Sequence, residues 1–164
     1  MASLFWNPTI TSGRDEVYVA AMPLRAAKGP AQLAMSAAYS LNLWDLQHFM
    51  VILKSSSPPP QSQVLVFDFQ PQDPEDIFVA FAVLSGRSVP GAVLARKLKT
   101  LPRSKCWFVG YSKADAADIA SAFNKNWDTS LRVGLHDCRD YTNGLVQQLT
   151  GEKNVLKRLR STGN

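Results

Sequence analysis

The chain has 164 residues, 46% of them apolar and 19% charged, and carries a formal net charge of +5. That length suits one domain with a sizeable core, and the balance is that of an ordinary globular protein, not of a disordered tail or a collagen-like repeat. Two cysteines make no disulfide framework, and no apolar run approaches the roughly 20 residues that span a bilayer, so a cytoplasmic, reducing compartment is expected.

The opening Met1 to Trp6 has no early basic residue and no signal-peptide core, and Asp15 and Glu16 come early for a transit peptide. No myristoylation or prenylation motif is expected at either end. Glu16 to Met22 predicts a short strand. Pro30 to Leu41 is alanine-rich and predicts a helix, with Pro30 at a first helical position. Gln47 to Lys54 and Gln63 to Gln70 are apolar runs with little polar alternation, which predicts buried strands. Between them, Ser55-Ser56-Ser57-Pro58-Pro59-Pro60 predicts a stiff exposed loop inside one domain.

Asp73-Pro74-Glu75-Asp76 predicts a helix start, with Asp73 as cap, Pro74 in the first position and acids in the first turn. That helix would bury Ile77, Phe81 and Leu84 and stop at Gly86. Ala92 to Leu98 and Cys106 to Tyr111 predict two more strands. Ser112 to Asp115 resembles a capping box opening a helix through Ile119 and Phe123. Leu131 to Leu135 predicts a further strand, and a last helix runs from near Cys138, buries Tyr141, Leu145, Val146 and Leu149, and stops at Gly151.

The positive charge gathers in two places: Arg96, Lys97, Lys99, Arg103 and Lys105, and a basic tail over residues 152–164 with Lys153, Lys157, Arg158 and Arg160. An anionic surface or a protein partner could be met there. No aromatic ladder interleaves with these residues and no RNA- or DNA-binding motif appears, so solvated basic faces are the simpler reading. Two histidines and two cysteines without close ligand spacing give no metal site, and no phosphate-binding glycine loop implies a cofactor.

Thiol chemistry has a short candidate list. Cys138 falls where a strand-like run gives way to a helix. A helix start offers unsatisfied N–H groups and a partial positive charge; both favour a thiolate, and the N–H groups can hold an oxyanion. The alternative is a small buried cysteine with no reactivity. Cys106, in an apolar Cys-Trp-Phe-Val run, is expected in the core. If the two strands flanking the proline loop form a hairpin centred on Pro58, His48 faces Asp68 on one side of the sheet. A carboxylate there would hold the imidazole in one tautomer and support its charged form. A one-residue slip would put the two on opposite faces. Asp68 inside an apolar strand costs several kcal/mol unless paired, and His48 is the obvious partner. His136, two residues before Cys138, is a second candidate base. Trp44, just before the histidine strand, either lines a groove or packs at the strand entrance.

The segments Gln47 to Leu53, Val64 to Phe69 and Asp137-Cys138-Arg139-Asp140-Tyr141 together resemble the circularly permuted papain-like fold. Within it the chain is most similar to the lecithin:retinol acyltransferase-like branch, related to the NlpC-type peptidases. The match covers about His48 to Leu149, and Phe108 to Ser112 resembles the segment that precedes the catalytic helix. The first 40 residues and the tail match nothing. Where the family has Asn before its cysteine, this chain has Asp137. Asp68 and Asp140 stand where histidine is frequent. The resemblance implies an α+β fold with a central antiparallel sheet and helices packed on it. It implies Cys138 as nucleophile, His48 as base and Asp68 as the residue orienting it, with His136, Asp137, Tyr141 and Trp44 in supporting positions. The activity implied is acyl transfer on an amide, ester or thioester of a peptide, isopeptide or lipid. The family's acyltransferases often carry a C-terminal membrane helix, which this chain lacks; that weighs mildly against phospholipid. A non-catalytic interaction module on the same fold, binding a protein or anionic partner through its basic surface, is the alternative.

Overall fold

The computed structural model describes residues 15–23, 47–55, 64–74 and 76–162. The helix expected over Pro30 to Leu41, the proline loop and Trp44 lie outside them. Six strands form one antiparallel sheet: β1 Glu16–Pro23, β2 Gln47–Lys54, β3 Val64–Pro71, β4 Val89–Leu98, β5 Cys106–Tyr111 and β6 Ser130–Leu131. Their order across the sheet is β5-β1-β2-β3-β4-β6. Among the described residues four helices accompany them: α1 Ile77–Leu84, α2 Ala116–Asn126, α3 Cys138–Thr150 and α4 Val155–Thr162. The α+β class expected from the sequence is what the chain adopts. None of the helices among the described residues is long and apolar enough to cross a membrane.

β2 and β3 occupy the centre of the sheet because both of their faces are apolar. On one face Val17, Val19, Phe49, Val51, Leu53, Phe67 and Phe69 pack under α3, whose Tyr141, Leu145, Val146 and Leu149 are fully buried. Each such side chain contributes about 1.5–3 kcal/mol by leaving water, so this one layer holds the helix in place. On the other face Ala20, Met50, Ile52, Val64 and Val66 form a smaller cluster with Tyr18, Leu98, Leu101 and Cys106. Cys106 is thus packed in apolar surroundings, and burial raises its thiol pKa. α3 ends at Gly151, whose φ of 85° is the left-handed cap a side chain would strain. The segment expected as a basic tail forms α4, which buries Val155, Leu156 and Leu159 and leaves its basic residues outward.

Four local expectations are corrected. Asp73-Pro74 forms a turn and not a helix start; the cap is Asp76, which accepts from the Phe78 N–H at 2.8 Å. Among the described side chains of α1, Ala80 and Val83 are buried, whereas Phe81 is 55% and Phe78 81% exposed; those of Ile77 and Leu84 lie outside the described ones. The box expected at Ser112 is replaced by Asp115, which accepts from Ala117 and Asp118, while Ser112 Oγ donates to the Ala114 carbonyl. The strand expected over Leu131 to Leu135 is only two residues long; beyond it the chain reverses, with Arg132 and His136 bridged and Gly134 at φ 87°.

Candidate active site

β2 and β3 are paired for only half their length. β2 follows β1 down to Gln47–Pro23, and β3 follows β4 down to Pro71–Gly91. The ladder between β2 and β3 itself runs from Lys54–Val64 to Val51–Phe67 and stops. Below that point a side-chain bond takes over from the backbone: His48 Nε2 lies 2.7 Å from Asp68 Oδ2. Both residues are buried, at 8% and 1% exposure. The expected hairpin register is corrected by two residues, since Val51 pairs with Phe67 and not with Leu65. A slip of two keeps every side chain on its face, so Asp68 meets His48 as a diagonal neighbour. By strand alternation both share the face of Met50, Ile52 and Val66.

The start of α3 closes the other side of this opening. Cys138 Sγ lies 3.7 Å from the Gln47 carbonyl oxygen, at the foot of β2. It also lies close enough to the His48 imidazole to raise its pKa. With Nε2 held by Asp68, Nδ1 is the nitrogen left for the thiol. Thiol, imidazole and carboxylate therefore form one chain of contacts drawn from α3, β2 and β3.

The electrostatics of His48 follow from that chain. Burial alone would push the imidazole pKa down. The Asp68 hydrogen bond, then the proximity of Cys138 and the charge of Asp68, outweigh it and bring the value up to about 9. The balance of these effects favours the charged imidazolium over the neutral ring. The second oxygen of Asp68, Oδ1, is buried with no hydrogen-bond donor among the described residues, and the guanidinium of Arg96 on β4 stands 3.6 Å away.

Asp137 caps α3 through a reciprocal box. Its carboxylate accepts from the Arg139 and Asp140 N–H groups, and its own N–H donates to Asp140 Oδ2 at 2.9 Å. Gly134 N–H and the Arg139 guanidinium bind the same carboxylate. Burial would raise the Asp137 pKa, but the Arg139 hydrogen bond, the Gly134 N–H and the Arg139 charge hold it below the ordinary carboxylate range. Burial and the nearby Asp137 raise that of Asp140. The box engages the N–H groups of Arg139 and Asp140, and leaves that of Cys138 without a partner among the described residues. This narrows the expected oxyanion donors at the helix start to the one N–H of Cys138.

The other expected residues lie nearby in different roles. The His136 ring stacks on Trp127, with centroids 4.3 Å apart and planes 15° apart, and Nε2 lies 2.7 Å from the Asp128 carbonyl. It holds the reversal before α3. Tyr141 is fully buried against Phe69, and its hydroxyl donates to Asn124 Oδ1 at 2.5 Å. Burial and the charge of Asp68 raise its pKa. Two site residues were not singled out from the sequence as such. Gln47 gave no signal beyond preceding His48; Arg96 sat inside a basic cluster that reads as solvated.

A surface hollow of about 420 Å³ lies between α2 and α3, lined by Ile119, Phe123, Trp127 and Gln148 among others, and includes none of the thiol, imidazole and carboxylate. No group of three or more histidine, cysteine or acidic residues suited to a metal ion occurs among the described residues. No protein-family model matches the chain, and neither a curated protein nor a solved structure matches it.

Proposed function

We propose that the chain is a thiol-dependent acyl-transfer enzyme of permuted papain-like design, with Cys138 as nucleophile, His48 as proton carrier and Asp68 as the group that orients it. One observation carries this: a cysteine at a helix start shares an imidazole with a buried carboxylate at 2.7 Å. A structural histidine needs only one partner. This one has an acid on one side and a thiol on the other.

In this reading His48 takes up the proton of the Cys138 thiol and leaves a thiolate. The thiolate attacks a carbonyl carbon, a C–S bond forms, and the C=O electron pair moves onto oxygen. The Cys138 N–H donates to that oxygen, so the burden on a single backbone donor is greater than in a site with two. Collapse breaks the bond to the leaving amine, alcohol or thiol, which takes the proton from His48 Nδ1. Water or a second nucleophile then gives a proton back to His48 and releases the acyl group from the thioester. Asp68 keeps Nε2–H engaged throughout and stabilises the imidazolium. Peptide, isopeptide and lipid acyl groups all fit this chemistry, and a reducing compartment would keep the thiol free.

The rival reading, a non-catalytic module that binds a protein or anionic partner, draws support from α1. Its eight residues are all apolar, and Phe78 and Phe81 face outward. The deciding measurement is iodoacetamide alkylation of Cys138 from pH 5 to 9, followed by peptide mapping that separates it from Cys106. Rapid alkylation of the folded protein near pH 6, slowed at least tenfold by His48→Ala, is expected. A Cys138 that reacts no faster than Cys106 would leave the binding reading standing.

A further inference from the structure

We propose that Arg96 is a positioning residue of this site: it fixes the second oxygen of Asp68 and moderates the pull of that carboxylate on His48. The inference rests on the reading of His48 and Asp68 as a working pair. Arg96 lies on β4 opposite Val66, which makes it a diagonal neighbour of Asp68 on the same face. Its guanidinium reaches Oδ1 at 3.6 Å, while Oδ2 is held by His48 at 2.7 Å. A buried carboxylate oxygen with no hydrogen bond is costly, and Arg96 is the cation that compensates it. Its side chain is 47% exposed, so the interaction is partly screened by water.

The consequence is electrostatic. Among the described residues, the titratable groups that face His48 are Asp68 from β3 and Cys138 from α3; Met22, across from it on β1, is apolar. Arg96 from β4 and the buried Tyr141 hydroxyl from α3 both act on Asp68. Taking away the positive charge leaves more of the Asp68 field to His48, so the imidazolium holds its proton to higher pH. A proton held too firmly is given up slowly to a leaving group. Arg96 therefore keeps the imidazolium acidic enough to act as a proton donor.

The test is an NMR titration of the imidazole in histidine-labelled protein, with the His48 signal assigned by its loss in His48→Gln. Arg96→Gln is expected to raise the His48 midpoint by on the order of half a pH unit, given the distance and the exposure. Arg96→Lys is expected to restore it. Arg96→Ala serves as a second charge-removing variant should the glutamine find a new partner. A purely structural arginine would lower the melting temperature without moving the midpoint, and an unmoved midpoint in both neutral variants overturns the proposal. Asp68→Asn runs alongside. A midpoint that drops there but stays fixed in the Arg96 variants sinks Arg96 alone, whereas a midpoint unmoved in Asp68→Asn takes the His48–Asp68 pair down with it.

Discussion

The two halves of the β2–β3 pair are built from the same strands to different ends. From Val51 to Lys54 against Val64 to Phe67, backbone hydrogen bonds join the strands and apolar side chains fill both faces. From Gln47 to Met50 against Asp68 to Pro71 the ladder is gone, and a single imidazole–carboxylate contact bridges the gap beneath Cys138. The closed half is held by apolar burial, with Lys54 at its end paired to Glu16. The open half carries two charged side chains at under a tenth exposure, which only mutual pairing makes affordable. Stability and chemistry are thus divided along one pair of strands, a few residues apart.

The division can be broken from either end. Asp68→Ala strikes the open half hardest. It leaves a buried imidazolium without its partner, so a loss of about 3–5 kcal/mol in urea unfolding is expected, together with slower Cys138 alkylation near pH 6. Ile52→Ala strikes the closed half. Ile52 is fully buried on the face away from α3, and the change is expected to cost about 2–5 kcal/mol while alkylation of the folded protein keeps its wild-type rate. A large effect of Ile52→Ala on the thiol would show that the halves are not separable.

A gentler probe is pH. His48 is raised from 6.5 in the unfolded chain to about 9 in the folded one. The folded state therefore holds a proton that the unfolded state has lost across that window. The stability contributed by this proton is fully present below pH 6.5 and is lost as pH rises through about 9, a change on the order of 3 kcal/mol at most. Urea midpoints from pH 6 to 9.5 should fall in the wild type and stay flatter in His48→Gln. Equal slopes in the two proteins would remove the buried pair as the cause.

Much of this was written in the sequence where one physical signal acted alone. Gln47 to Lys54 is a strand with the bounds expected, because an eight-residue apolar run with no helical period has few other uses. α3 and its stop at Gly151 follow from the 3.6-residue spacing of Tyr141, Leu145 and Leu149. Where two signals compete, the local sequence does not decide between them. Asp73 and Asp76 are both fair caps, and nothing local says which the helix takes. The octet Ile77 to Leu84 has no polar face, so its buried side could not be read from periodicity. In Leu131 to Leu135 the apolar alternation argued for a strand, but Gly134 marked the reversal that occurs. The His48–Asp68 pairing survived a wrong register only because the error was an even number of residues. Arg96 could not be found at all: its role depends on β4 lying beside β3, a tertiary fact.

The order of elements along the chain has a consequence for biosynthesis. His48 and Asp68 sit on strands made early, whereas Cys138 opens a helix roughly 70 residues later, several seconds of translation at ordinary rates. The strand pairings β1–β2, β2–β3 and β3–β4 all lie within residues 16–98, so the imidazole and its carboxylate can be joined on the ribosome before any thiol exists beside them. The helix that delivers the cysteine is also the one that seals the larger apolar face of the sheet. Completion of the hydrophobic core and arrival of the Cys138 thiol beside the imidazole are then the same event, and a truncated or stalled chain carries the His48–Asp68 pair without it.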